Sequence, residues 1–400
     1  MRIGLITGEY PPMQGGVGAF TQELAKALAD LGHTIHVITG RQAGKEEGGR
    51  MKDEGESIHH SSFIIHHSIR RWRWPAVATI ASLSQRYELD VVNIQYQAAA
   101  YDMRSPAINL LPWRLRGLVK TVVTFHDLRV PYLFPKVGRW RQAAVTFMAR
   151  QAHGVIVTNS EDYQNLVARL HPSTIRQIPI GSNVRASAPD SAAVAAARAR
   201  LGLTPDHFLL GYFGFLNESK GADTLLRALA QLDKRVHLVF IGGRLGSSDP
   251  DNNQAFLAHL DTLIGELGLG ERVHWTGFVS DEEVSAYLRA ADLMAMPYRD
   301  GVSLRRGTLM AVLAHGRPLL TTHPTTPTPE LVHGQNVWFA PVDDMAELTD
   351  AVRYLAAVPP VRAQLGYGAR QVADLFTWDK IAAQTAAFFQ ALVDVDQVEE

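Results

Sequence analysis

Tyr298–Pro318 reads YRDGVSLRRGTLMAVLAHGRP, and its reading decides the fold of the chain. Just ahead of it, Asp292–Met296 (DLMAM) is a short apolar run of the kind that forms a buried parallel strand. Within it, Leu309, Val312 and Leu313 recur at helical spacing, and Gly316 followed by Pro318 stops the helix. Strand, glycine-punctuated loop and helix make one step of a parallel α/β layer. The loop carries Ser303, Arg305, Arg306 and Thr308. The first turn of a helix leaves backbone N–H groups unpaired and holds the positive end of the helix dipole. Two arginines at such a mouth make an anion site suited to phosphate. The bland alternative is an arginine pair on a solvated helix start.

The same alternation extends in both directions. Ile3–Thr7, the helix over Ala19–Leu31 ending at Gly32, and the strand Thr34–Thr39 form a βαβ opening around the loop GEYPPMQGGVG. Strands are predicted at Val91–Gln95, Val119–Phe125, Gly154–Thr158 and Ile175–Ile178, with a polar, glycine-rich loop over Lys45–Glu56. After an alanine-rich stretch, 186–199, the pattern restarts: strands at Phe208–Phe213, Val236–Ile241, Arg272–Trp275, Asp292–Met296 and Leu319–Thr322, with helices between. Residues from Ala346 to Val395 read as almost all helix, broken at Pro359–Pro360 and near Phe376–Thr377.

With 400 residues the chain exceeds one ordinary core, and two α/β domains follow. The absence of cysteine excludes disulfides, thiol nucleophiles and zinc–thiolate sites. No apolar run reaches the roughly 20 residues of a membrane span, and no secretory leader pattern opens the chain, so a cytoplasmic location is expected. The net charge of −1 hides an asymmetry: residues 1–185 hold 22 Lys and Arg against 14 Asp and Glu (+8), the remainder 17 against 26 (−9). The doublets His59–His60 and His66–His67 lack carboxylates at metal-ligand spacing, so no metal site is expected. The run Arg70, Arg71, Trp72, Arg73, Trp74 reads either as a helix-flanking surface or as a peripheral contact with an anionic membrane face.

Taken together, these stretches resemble a family 4 (group 1) glycosyltransferase of the GT-B fold, over nearly the whole chain. PPMQGGVGAFTQELAKALADLGHTIHVIT is similar to the family's opening strand, glycine loop and helix; TFHDL (Thr124–Leu128) to its His-Asp segment; FGFLNESKGADTLLRAL to the start of its donor domain. ELVHGQNVWFAPVDD and FTWDKIAAQ are similar to its closing strand and crossover helices. The resemblance implies two Rossmann-like parallel-sheet domains facing across a cleft: an acceptor domain over 1–185, a linker over 186–205, a donor domain over 206–376, and a C-terminal helix over 377–400 that packs back on the first domain. It implies a retaining, metal-independent, cofactor-free transfer of a hexosyl group from a nucleotide-diphosphate sugar to a saccharide or lipid-linked acceptor in cell-envelope polysaccharide synthesis, with no nucleic-acid partner.

The resemblance assigns catalytic roles to His126 and Lys220 and donor contacts to Gly15, Gly16, Gly214, Lys220, Phe278 and Val279; the anion-site reading of the helix mouth adds Ser303, Arg305, Arg306 and Thr308 as donor contacts, with Arg305 also expected to be catalytic. Physical chemistry agrees with these residue types: cations and backbone donors stabilise a departing diphosphate, and glycines admit close backbone approach. The chain departs from the family in two places. The family's Glu, seven residues, Glu pattern falls on Ser303 and Ala311, with Asp300 three residues ahead, and its donor-domain arginine is Phe215. Relocation of the missing guanidinium to Arg305 and Arg306 is the expected explanation. The other classes are a non-catalytic sugar-nucleotide-binding protein and a sugar-nucleotide epimerase of the same plan. A dinucleotide oxidoreductase fits poorly, because the first loop lacks G-x-G-x-x-G.

Overall fold

Strands that are apolar without alternation demand cover on both faces, and the chain meets that demand with two parallel sheets flanked by helices. The computed structural model describes residues 1–13, 15–40, 64–101, 105–128, 138–171, 174–186, 190–244 and 250–397. The polar stretch Lys45–Glu56 and the doublet His59–His60 lie outside the described residues. Two compact units result: Met1–Pro179 with Trp378–Glu400, and Ile180–Thr377.

The first unit runs β1 (Arg2–Thr7), α1 (Gly16–Asp30), β2 (Thr34–Gly40), β3 (Ile64–Ile69), α2 (Trp74–Arg86), β4 (Val91–Tyr96), α3 (Leu111–Leu115), β5 (Lys120–Phe125), α4 (Gly138–Gln151), β6 (Gly154–Val157), α5 (Ser160–Val167) and β7 (Ile175–Gln177). Its seven strands lie in the order β3-β2-β1-β4-β5-β6-β7, all parallel. On α1, Val17, Phe20, Leu24 and Leu28 form the buried stripe, and Gly32 at φ +85° closes the helix.

The second unit runs α6 (Ser191–Arg200), β8 (Phe208–Phe213), α7 (Ala222–Ala230), β9 (Val236–Ile241), α8 (Pro250–Glu266), β10 (Val273–Trp275), α9 (Asp281–Ala290), β11 (Leu293–Met296), α10 (Gly307–Ala314), β12 (Leu319–Thr322), β13 (Trp338–Ala340), α11 (Met345–Ala357) and α12 (Pro359–Ala373). Its sheet order is β10-β9-β8-β11-β12-β13, again parallel. The stretch expected as a linker, 186–205, contains α6, which is part of this unit and packs on α9. Arg198 of α6 donates to the carbonyls of Ala290 and His207 and pairs with Asp292 at 3.1 Å.

Guanidinium groups from other elements satisfy the open carbonyls at helix ends in this unit. Arg272 and Arg353 cap α7 through Leu229 and Gln231, Arg198 and Arg317 cap α9, and Arg370 reaches Ala314 at the end of α10. At the other end of α9, Ser280 and Glu283 form a capping box.

The final helix, α13 (Trp378–Gln397), belongs to the first unit. Its Trp378 ring centroid lies 5.2 Å from that of Phe20 on α1. Gly154 on β6 leaves room for Phe388 and Leu392; a Cβ there would stand 2.6 Å from Leu392 Cδ1. No described helix is long and apolar enough to cross a membrane.

Candidate functional site

In an open parallel sheet, the strand order reverses direction at one point, and the loops leaving the strands there splay apart into a crevice. In the second unit that point lies between β8 and β11, which pair directly although two strands and three helices separate them in sequence. The loop after β8 carries Gly214 and Lys220; the loop after β11 carries Ser303, Arg305 and Arg306. Tertiary structure therefore brings together two groups of cations that lie more than eighty residues apart.

Between them sits a carboxylate that sequence reasoning mentioned only as a substitute: Asp300. Arg306 Nη2 donates to its Oδ1, and Arg305 Nη2 stands 3.7 Å from Oδ2. Burial alone would raise the Asp300 carboxyl, but the charges of Arg306, Lys220 and Arg305 outweigh burial and hold it below the usual carboxylate range. Both arginine side chains are only 9% exposed, so these are not solvated surface charges. The buried ring of Tyr298 forms the floor, with Arg306 at 3.9 Å and Lys220 Nζ at 5.4 Å from its centroid. Arg306 Nε is a buried donor with no hydrogen-bond partner. A buried, unsatisfied guanidinium N–H is costly unless a further acceptor arrives.

Local backbone shapes hold the cluster. Lys220 ends a single 3-10 turn, Glu218–Lys220, capped by Asn217. Gly221, at φ +67°, then opens α7, and a Cβ there would stand 2.0 Å from the Pro297 carbonyl oxygen. Gly214, at φ +126°, faces Thr308, whose methyl carbon would lie 3.0 Å from an added Cβ. Ser303 is half-exposed, and its carbonyl accepts the Arg306 N–H. The mouth of α10 is flanked by Asn183, whose Nδ2 would stand 2.9 Å from a Cβ on Gly307. Ala311, where the family carries its second acidic residue, is wholly buried.

Farther along the sheet, Gly242 (φ +98°) and Gly277 (φ +68°) bridge the ends of β9 and β10. Phe278 is 68% exposed beside half-buried Val279. Arg244 lies 4.0 Å over the Trp275 ring, which in turn stacks on Phe240 at 4.4 Å. Phe278 and Val279 thus belong to the β10 loop, two strands along from β8. Phe215, which replaces the family's arginine, is half-buried.

In the first unit the glycine loop packs against a neighbouring side chain. Gly15 is needed by a neighbour in the chain: a Cβ there would stand 2.1–2.3 Å from the carboxylate atoms of Glu9. Glu9 is buried, and its Oε1 accepts the N–H groups of Val17 and Gly18 at 3.0 and 3.3 Å. Burial raises the Glu9 carboxyl, an effect the two N–H groups only partly offset. The mouth of α1 is therefore already occupied by the Glu9 carboxyl group. Gly16, by contrast, would point a Cβ into open space.

His126 follows β5 and is oriented by polar side chains from the middle of the sheet. Its Nε2 lies 2.8 Å from Gln95 Oε1; Gln95 Nε2 donates to Asn93 Oδ1, and Asn93 Nδ2 donates to Thr124 Oγ1 at 2.9 Å. Because Gln95 spends its amide on Asn93, its oxygen faces His126 and calls for the proton on Nε2, leaving Nδ1 as an acceptor. Burial lowers the His126 pKa to about 3, so the ring is neutral near pH 7. The signal was present in β4, VVNIQY, where Asn93 and Gln95 put two amides on one face of a buried strand.

The other motifs resolve structurally. His66 and His67 lie on β3, where His67 Nε2 meets His36 Nδ1 at 3.0 Å and the rings stack; His66 packs edge-on to Tyr10. Among the described residues, no three His, Asp or Glu side chains gather as a metal site. The Arg70–Trp74 run divides: Trp72 packs on Tyr101 in the core, and Trp74 is 53% exposed. His315 is internal, bonded to Ser285 Oγ and the Ala311 carbonyl.

Residues 14–185 match the family described as Glycosyltransferase Family 4, and residues 207–357 match Glycosyl transferases group 1. The GDP-mannose-dependent alpha-(1-6)-phosphatidylinositol monomannoside mannosyltransferase of Mycolicibacterium smegmatis is 27% identical, covering 96% of each chain. Among solved structures, a sucrose-phosphate synthase from Thermosynechococcus elongatus superposes with a TM-score of 0.78 at 23% identity, covering 99% of this chain and 100% of that one. The Anabaena protein HepE, solved in complex with UDP, does so with 0.75 at 20% identity, covering 98% and 100%. The two parallel sheets are those of the GT-B fold, and the chain belongs to the family 4, group 1 glycosyltransferases.

Proposed function

We propose that the chain is a retaining, metal-independent transferase that moves a hexosyl group from a nucleotide-diphosphate sugar to a saccharide or lipid-linked acceptor. One observation carries the donor class. Lys220, Arg305 and Arg306 gather around the Asp300 carboxylate at the switch point of the sheet, where Arg306 Nε is a buried donor without a hydrogen-bond partner. A diphosphate would supply the acceptor that Arg306 Nε lacks and would lie among cations suited to it. When the sugar–phosphate bond breaks, negative charge grows on the departing nucleotide, and cations already held in a dry site stabilise it without reorganisation.

Lys220, Arg305 and Arg306 are therefore assigned to the diphosphate, with Ser303, Thr308, Gly214 and the N–H groups at the mouth of α10 as supporting donors and close-approach positions. The base is assigned to Phe278 and Val279. Neutral His126, with Nδ1 open as an acceptor, is assigned to a sugar or acceptor hydroxyl, and Gly16 to close backbone approach. UDP in the HepE complexes and GDP-mannose in the mycobacterial enzyme's name support a pyrophosphate-linked donor while differing in base. The exposed Trp74 and the +8 charge of residues 1–185 support an acceptor at an anionic lipid surface.

The reading of a non-catalytic binder draws on Ser303 and Ala311, where the family has carboxylates; a carboxylate in the same loop, Asp300, supports the catalytic reading. Replacing Arg305 and Arg306 together by Gln tests the site. Affinity for UDP or GDP is expected to fall at least tenfold, and affinity for UMP or GMP much less, since charge-assisted bonds contribute about 1.5–3 kcal/mol each. Equal losses for both ligand classes, or none, would refute the diphosphate assignment. Product anomer, read by NMR, tests retention.

A further inference from the structure

Arg299 lies between the floor residue Tyr298 and the carboxylate Asp300, yet its own charge is already spent. Nη2 pairs with Asp223 Oδ2 at 2.7 Å, and Nε with both oxygens of Asp343 at 2.7 and 3.0 Å. Nη1 donates to the Glu218 carbonyl at 2.9 Å, and the Arg299 backbone N–H donates to the Ser219 carbonyl at 2.9 Å. Glu218 and Ser219 are the two residues of the 3-10 turn that precede Lys220. Asp343 is itself held by Thr224 Oγ1 at 3.0 Å and sits at φ +55°, a conformation that a non-glycine residue keeps only when its surroundings enforce it. One guanidinium thus joins three segments: the β11 loop that carries Arg305 and Arg306, the β8 loop that carries Lys220, and the segment after β13.

We propose that Arg299 is a positioning residue, a strut that sets the Lys220 turn at its working distance from Arg306 and Asp300; the proposal rests on the donor-site reading above. A direct ligand role is excluded by its pairing with two carboxylates. Other restraints on the turn lie at its ends: the Asn217 cap is internal to it, Leu216 N–H donates to the Arg244 carbonyl just before it, and Gly221 approaches Pro297 after it. Loss of the strut leaves both cation groups in the protein but no longer in register.

A purely stabilising ion network and a positioning strut differ in one measurable respect. If Arg299 acts through Lys220, the two substitutions share one effect; if it only stabilises the unit, their effects on ligand affinity are independent. The experiment is a double-mutant cycle of Arg299→Gln and Lys220→Ala in the full chain, titrated with UDP and GDP, with UMP and GMP as controls, and with melting temperatures recorded. Arg299→Gln is expected to weaken the diphosphate that binds wild type by about tenfold, and the monophosphate about threefold or less. In that background Lys220→Ala is expected to add little.

If Arg299→Gln does not fold, Arg299→Lys carries the same cycle, because an ammonium keeps a charge near Asp223 and Asp343 but cannot also span to Glu218. Losses that multiply independently, or a lower melting temperature with unchanged affinities, would overturn the strut while leaving the donor site standing. Unchanged UDP and GDP affinities in both folded Lys220→Ala and Arg305→Gln/Arg306→Gln proteins would overturn the donor site, and the strut with it.

Discussion

Replacing Gly221 by Ala isolates how far the site depends on one close approach of backbone to backbone. Two costs add. At φ +67° an alanine adopts the left-handed region, which costs about 1–2 kcal/mol for a residue with a Cβ. Its Cβ would also stand 2.0 Å from the Pro297 carbonyl oxygen, against an ordinary C···O contact of about 3.3 Å. That oxygen belongs to the backbone of the residue that follows β11 and cannot rotate away, so the β8 and β11 loops must separate by about 1 Å, at an overpacking cost of about 1–3 kcal/mol.

Gly202 and Gly268 supply the control, because they have φ +68° and +63° with nothing within 4 Å of an added Cβ. Their Ala variants carry the strain without the clash. Urea unfolding of all three variants is expected to put Gly221→Ala about 1–3 kcal/mol below the controls, and only Gly221→Ala to lose UDP or GDP affinity, since Lys220 is its neighbour. Equal destabilisation across the three variants would refute the reasoning.

Gly15→Ala should expel Glu9 from the mouth of α1 and lower stability by about 1–3 kcal/mol, whereas Gly16→Ala should be neutral or stabilising; melting curves that rank them the other way would reject the Glu9 account. Nitrogen-15 NMR of His126 at pH 7 should show the neutral ring protonated on Nε2, and Gln95→Leu should cost about 1–3 kcal/mol by orphaning that N–H; an Nδ1-protonated ring would contradict the hydrogen-bond chain. Acid should destabilise the fold well before carboxylates titrate fully. Burial lowers His126 to about 3 and His36, His237 and His315 to about 4, so unfolded histidines bind protons that the folded ones refuse. Stability is then full above about pH 6.5 and falls as pH drops toward 4. A denaturant midpoint unchanged between pH 7.5 and 5 would refute this.

Local pattern was enough for much of this protein. The apolar runs of β8, β9, β11 and β12, the periodicity of α1 and α10, and the stop at Gly316, which does take φ +59°, are all properties of a few consecutive residues, and they identify the α/β class. The family was legible for the same reason, since its motifs are short. Lys220, Arg305 and Arg306 were legible as cations beside helix starts. What the sequence left open concerns who stands next to whom. The adjacency of β8 and β11 follows from the sheet's strand order, which parallel pairing and right-handed crossovers decide over the whole unit. Only that adjacency puts Asp300 among three cations and lets Arg299 hold the Lys220 turn. The same holds for Gly15, where only the fold shows that the space beside it is taken by the side chain of Glu9. Periodicity is set by one chain's local geometry, whereas charge neutralisation and close approach are set by through-space distance, and only the folded chain defines that distance.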